Sequence, residues 1–140
     1  MPYTINLTNG EILTTVIDGD VDTDTTSLAL IGKNATSYGE YQNENFVKLL
    51  ENFANTSAPT APLTGQIWYD SGPDNRIKVF NGTVWRSIGS AIVSASQPST
   101  STSVTGDLWL DTSSNRLYAR TSAEWRLVGP VGNKIGRAHV

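Results

Sequence analysis

The chain has 140 residues, of which 16% are charged, with a net charge of −3 and no cysteine. An acidic balance without clustered Lys and Arg excludes a nucleic-acid partner held through phosphate contacts, and the lack of cysteine excludes disulfides and thiolate metal sites. No apolar run reaches the roughly 20 residues of a membrane span, and the first residues lack the basic, apolar and small-residue order of a signal peptide.

In chain order, the first elements are short strands. Thr4–Leu7 and Ile12–Ile17 flank Asn9-Gly10, a hairpin signal because both residues tolerate positive φ. A polar stretch from Asp18 to Thr26 follows, then a short apolar strand, Ser27–Ile31. One helix is expected, over about residues 38–54. Phe46, Leu49, Leu50 and Phe53 form its apolar stripe, widened by Val47 and Ala54, and Ser37 with Glu40 forms its capping box. Asn43 is a competing start, and Asn55, Pro59 and Pro62 end the helix. The stripe is expected to pack on the strands, making an α+β head over residues 1–58, small enough to be marginal alone.

Beyond the head the chain repeats itself. Gly65-Gln-Ile-Trp-Tyr-Asp70, Asn75-Arg-Ile-Lys-Val-Phe80 and Val84-Trp-Arg-Ser-Ile-Gly89 return as Gly106-Asp-Leu-Trp-Leu-Asp111, Asn115-Arg-Leu-Tyr-Ala-Arg120 and Glu124-Trp-Arg-Leu-Val-Gly129. One residue is dropped where Ser71-Gly72-Pro73-Asp74 becomes Thr112-Ser113-Ser114. Each copy, 65–89 and 106–130, reads as a three-stranded antiparallel β-meander, so the chain is mainly β in the α+β class. Residues 59–64 and the Ser/Thr-rich 90–105 read as extended linkers, too polar to bury.

Strand alternation divides each copy into two faces. Ile67, Tyr69, Ile77 and Val79 share an aliphatic face, matched by Leu108, Leu110, Leu117 and Ala119. Trp68, Asp70, Arg76, Lys78 and Phe80 lie opposite, matched by Trp109, Asp111, Arg116, Tyr118 and Arg120. A sheet of about 25 residues cannot bury two faces by itself, so its sister copy or other chains must cover one. The repeat signature is thus Gly65, Trp68, Asp70, Arg76 and Trp85, with Gly106, Trp109, Asp111, Arg116 and Trp125.

Two readings of the tryptophans stand side by side. Trp68, Trp85, Trp109 and Trp125 can be sugar-stacking platforms for a host glycan, or structural residues packed by an Arg guanidinium beside an Asp–Arg pair. Asp18, Asp20, Asp22 and Asp24 alternate in a way that invites Ca²⁺. Yet an EF-hand's sixth and twelfth places hold Thr23 and Ala29, or Thr25 and Ile31, so a solvated acidic loop is the preferred reading and no metal or cofactor is expected. Asn6, Asn34, Asn55 and Asn81 match the N-glycosylation acceptor, as chance allows in so Asn- and Thr-rich a chain. No GxSxG, phosphate-cradling loop or paired carboxylates point to catalysis, so the expectation is not an enzyme.

The repeated Gly-[Gln/Asp]-[Ile/Leu]-Trp-x-Asp … Asn-Arg-[Ile/Leu] … Trp-Arg … Gly resembles the short modules of tail-fibre and other virion proteins of tailed bacteriophages. The stretch from Leu30 to Asn55 looks like the segment preceding such modules in fibre proteins of large myoviruses, including phages of marine bacteria. The resemblance implies a homotrimer, an N-terminal part that attaches to other virion or baseplate proteins, a distal part for host attachment, and localisation in the virion. Ile135-Gly-Arg-Ala-His-Val140 reads as the translation of a ligated sequencing adapter. Residues 131–140 are therefore expected to be a truncated end of a metagenomic fragment, carrying the only histidine, His139.

Overall fold

The computed structural model describes residues 1–131; the expectations for residues 132–140 lie outside them. The chain is mainly β, with eleven strands and one helix among the described residues. It divides into two compact units, Met1–Ile88 and the part from Gly89 onward. The expected head and the first sequence copy therefore belong to one unit.

In the first unit, β1 (Tyr3–Asn6) and β2 (Ile12–Val16) pair antiparallel, with a bulge at Ile5/Asn6. Leu7 donates its amide to the Glu11 carbonyl at 2.8 Å, and Gly10 takes the left-handed conformation at φ +91°. The acidic stretch is more ordered than a solvated loop. It contains β3 (Val21–Asp22), which pairs with β4 (Leu30–Ile31), the shortened remnant of the expected strand. Gly32 closes this ribbon, and a Cβ there would lie 2.3 Å from the Ile17 carbonyl oxygen. Only glycine allows so close a backbone approach.

Helix α1 spans Tyr38–Leu50, starting where expected, and differs from expectation in its capping, its C-terminal end and its docking. Ser37 is its N-cap, but at φ +59° its side chain makes no cap bond, so the capping box with Glu40 does not form. The helix stops four residues early because Asn52 and Phe53 are both left-handed, at φ +50° and +55°. The Phe53 amide then closes on the Lys48 carbonyl at 2.7 Å, as helix C-termini commonly do.

The expected apolar docking stripe faces outward. No residue of α1 is buried, and Phe46 and Leu50 are 53% and 81% exposed. Instead Asn45 holds the helix. Its side-chain Oδ1 accepts the Ala29 amide at 2.9 Å while its Nδ2 donates to the Ala29 carbonyl at 2.8 Å. Ala29 is buried, and its backbone polar groups need partners. A two-way amide meets that need better than any residue of the stripe.

Two larger sheets follow. In the first unit, β5 (Ile67–Asp70), β6 (Arg76–Phe80) and β7 (Trp85–Ser87) form an antiparallel three-stranded sheet. In the second, the sheet has four strands: β8 (Ile92–Ser94), β9 (Leu108–Asp111), β10 (Arg116–Arg120) and β11 (Trp125–Gly129). Their order is β11-β10-β9-β8, with β8 parallel to β9. The stretch 90–105, expected to be an extended linker, thus contains a strand. Asn55, expected only to end the helix, makes an isolated parallel bridge to Asp70.

Candidate functional site

The registers set which side chains share a face. Ile67 pairs with Val79, Trp68 with Lys78, Tyr69 with Ile77 and Asp70 with Arg76. Leu108 pairs with Ala119, Leu110 with Leu117, Trp109 with Tyr118 and Asp111 with Arg116. The tryptophan and aliphatic faces therefore fall as alternation requires. Their burial is unequal. Trp68, Asp70, Trp109, Asp111 and Trp125 are buried, while Ile77, Leu108 and Leu110 are exposed. The tryptophan side holds the buried residues, while the aliphatic side is part exposed and part half-buried, as at Ile67, Val79, Leu117 and Ala119.

The repeated tryptophans pin a preceding segment to the strands that carry them. Trp68 donates its indole N–H to the Asn55 carbonyl at 3.3 Å, and the Ser71 amide donates to the same oxygen at 3.1 Å. In the second unit Trp109 donates to the Ser94 carbonyl at 3.0 Å, which also accepts the Thr112 amide at 3.1 Å. A carbonyl has two lone pairs, and both are used in each case. Trp125 donates to the Pro98 carbonyl at 3.2 Å, so the Ser/Thr-rich segment folds back toward it. Buried Ser103 adds a bond from its hydroxyl to the Ser99 carbonyl at 2.8 Å, and receives one from Arg120 at 3.3 Å.

The rings also pack on one another. Trp68 and Trp85 meet edge to face with centroids 5.3 Å apart, and Trp109 and Trp125 do so at 5.9 Å. Both are favourable aromatic geometries. Gly65 and Gly106, at φ +91° and +99°, occupy turns whose amides donate to the Phe80 and Arg120 carbonyls. Phe80 itself packs on Trp85 at 5.3 Å.

The acid on this face is satisfied differently in the two units. Asp70 accepts the Lys78 ammonium at 2.8 Å, and the same ammonium reaches Asp74 at 2.8 Å and lies 5.2 Å above the Trp68 ring. Lys78 thus both pairs with Asp70 and lies over the indole. The Lys78 bond holds the Asp70 carboxyl below its ordinary value against the effect of burial, and the Gly72 amide adds to this. Burial pulls Lys78 down, but its bonds to Asp70 and Asp74 outweigh it and hold the ammonium above its ordinary value.

In the second unit Tyr118 stands where Lys78 stood, and stacks on Trp109 with centroids 4.7 Å apart. Asp111 is now held by the Ser113 and Ser114 hydroxyls, each at 2.6 Å, and by the Ser113 amide at 2.9 Å. Those hydroxyl bonds lower its carboxyl in turn. Arg116 is half-buried, in register with Asp111, and Arg76 donates to the Asp74 carbonyl at 3.2 Å. The residue dropped from the turn and the lost lysine go together: Asp74 has no counterpart where Lys78 has none.

The acidic run is tied down locally. Asp18 pairs with the Met1 ammonium at 2.6 Å, and Asp20 accepts the Val21 amide at 2.9 Å. Asp22 accepts bonds from the Thr25 hydroxyl and amide and from the Asp24 amide, which hold its carboxyl low. Among the described residues, no three His, Cys, Asp or Glu side chains gather to hold a metal. No helix there is long and apolar enough to cross a membrane.

A cleft of about 680 Å³ lies between α1 and residues 53–60, lined by Val47, Phe53, Ala58 and Pro59 with Glu44, Lys48 and Glu51 at its edge. It escaped the sequence reading because its walls come from the unexpected break after Leu50. No protein family, curated protein or solved structure matches the chain.

Proposed function

We propose that this protein is a non-enzymatic structural component that assembles with further copies of itself. In this reading the two large sheets are copies of one module, a three-stranded meander clamped to the segment before it by a tryptophan N–H. They act as spacers, and the N-terminal strands with α1 form the docking end. The resemblance in the repeats makes a tailed-phage tail fibre or fibre adaptor the concrete form, trimeric and located in the virion, with other virion proteins as partners.

One observation carries the proposal. The repeated signature residues are consumed inside each sheet, the indole N–H groups on backbone carbonyls and the aspartates in their own turns. Residues used this way build a unit and leave little for substrate. Three of the four tryptophans offered as glycan platforms, Trp68, Trp109 and Trp125, are buried, which argues for the structural role of the face. Molar mass in solution tests the proposal. A multiple of the 15.1 kDa chain is expected, a trimer by the resemblance, and a monomer at every concentration contradicts it.

A further inference from the structure

We infer that the aliphatic faces of the two large sheets are one divided interface for a second copy of this chain, each face too small alone. The inference rests on the assembly reading above and names the surface that carries it. In the second unit, Val93, Leu110 and Leu117 lie directly opposite one another across β8, β9 and β10. Val93 is 51% and Leu110 38% exposed. In the first unit Ile77 is 43% and Ile88 48% exposed, and the Ile88 amide donates to the Ile77 carbonyl at 3.1 Å. These are contiguous apolar rows, unlike the scattered single residues of an ordinary surface.

The comparison between the two units shows what is kept. The buried face changes its chemistry, from lysine and a paired acid to tyrosine and two serines. The opposite face keeps aliphatic residues at three matching pairs, Ile67 with Leu108, Ile77 with Leu117 and Val79 with Ala119, and has Tyr69 where Leu110 stands; Arg86 and Arg126 recur on it opposite Val79 and Ala119. An exposed face that merely needed solvation had every freedom to become polar where its buried side was rebuilt.

Area decides how the occupant must bind. With strands about 4.8 Å apart and residues rising about 3.4 Å, a face of four short strands spans about 300 Å² and one of three about 200 Å². Either alone falls far below the roughly 800 Å² per partner of a standard interface. Both together bury about 1,000 Å² across two chains, the threshold for a specific contact. Two weak faces on one chain also raise each other's effective concentration. Duplication of the sheet then has a physical purpose.

Sedimentation equilibrium on the full 140-residue chain tests this with Ile77→Lys, Leu110→Lys, the double variant and, as a control in a turn off the face, Thr112→Lys. Near-UV circular dichroism of the tryptophan clusters reports folding. A lysine on a closed apolar face is expected to weaken association about 100-fold for each single variant. The double variant should be monomeric with an unchanged near-UV spectrum, and the control should associate as the parent does. Should a lysine variant lose the near-UV signal, Ile77→Thr with Leu110→Thr replaces it, expected to weaken association about tenfold. A folded double variant that associates like the parent overturns the inference and leaves the assembly reading standing. A parent chain that is monomeric throughout overturns both.

Discussion

The Trp109 indole N–H and the Ser94 carbonyl lie 3.0 Å apart, on an oxygen that also accepts the Thr112 amide. This one acceptor joins β8, β9 and the turn after β9, so the tryptophan acts as a clamp between a segment and the strands that follow it. The same clamp joins Trp68 to Asn55 in the first unit.

Trp109→Phe keeps most of the packing and removes the donor. It should lower stability by about 1 kcal/mol, the net value of one neutral hydrogen bond. Trp109→Ala also opens a cavity beside Tyr118 and should cost about 3–5 kcal/mol. Chemical denaturation followed by fluorescence of the remaining tryptophans measures both. Equal losses for the two variants would contradict the clamp.

The swap of Lys78 for Tyr118 predicts a coupled effect. Lys78→Tyr alone leaves buried Asp70 without its ammonium and should cost about 3 kcal/mol. Adding Gly72→Ser supplies the hydroxyl that Ser113 gives to Asp111, and should restore about 1 kcal/mol. A Cβ at Gly72 meets the Asp70 Oδ1 at 3.0 Å, a flexible side-chain atom that can shift. A double-mutant cycle without coupling between the two sites would refute this account of the acid.

Stability should be flat near neutrality and fall at both extremes. Asp22, Asp70 and Asp111 are held below the ordinary 3.8 by their hydrogen-bond donors. Their contribution is complete above 3.8 and is lost as pH falls through the lower folded values. Lys78 is held above its ordinary 10.5, so its contribution is complete below 10.5 and is lost as pH rises through its folded value. Thermal melts across pH check this. In Lys78→Met the alkaline loss should shrink, and a parent chain that grows more stable as pH drops below 3.8 would speak against it.

Asn45→Ala removes both bonds to Ala29 and should destabilise the first unit by about 2 kcal/mol, whereas Leu50→Ala, at a mostly exposed site, should stay within about 0.5 kcal/mol. Hydrogen exchange at the α1 amides reads the difference. A larger effect at Leu50 would restore the packed stripe that the sequence suggested.

That stripe shows where sequence reading ends. Phe46, Leu49, Leu50 and Phe53 have helical spacing, and spacing reports a face without saying what covers it. The sheets were easier: alternation through Ile67, Trp68, Tyr69 and Asp70 assigned both faces, because a period of two admits only two choices. Asn45 carried no signal, since an asparagine within a helix shows nothing of the backbone groups it will meet. The helix end was hidden because Phe53 continues the apolar pattern while its backbone turns left-handed. The clamped segments were missed for a related reason. Asn55 and Ser94 contribute carbonyl oxygens, which every residue has, and a composition rich in Ser and Thr reads as linker whether or not a tryptophan folds it back.

The central claim is that the chain is built for assembly, and its molar mass in solution tests that claim most directly. Light scattering on the full chain over a range of concentrations should give a whole multiple of 15.1 kDa, three by the resemblance in its repeats. A folded species that remains at 15.1 kDa even at the highest concentration would contradict it.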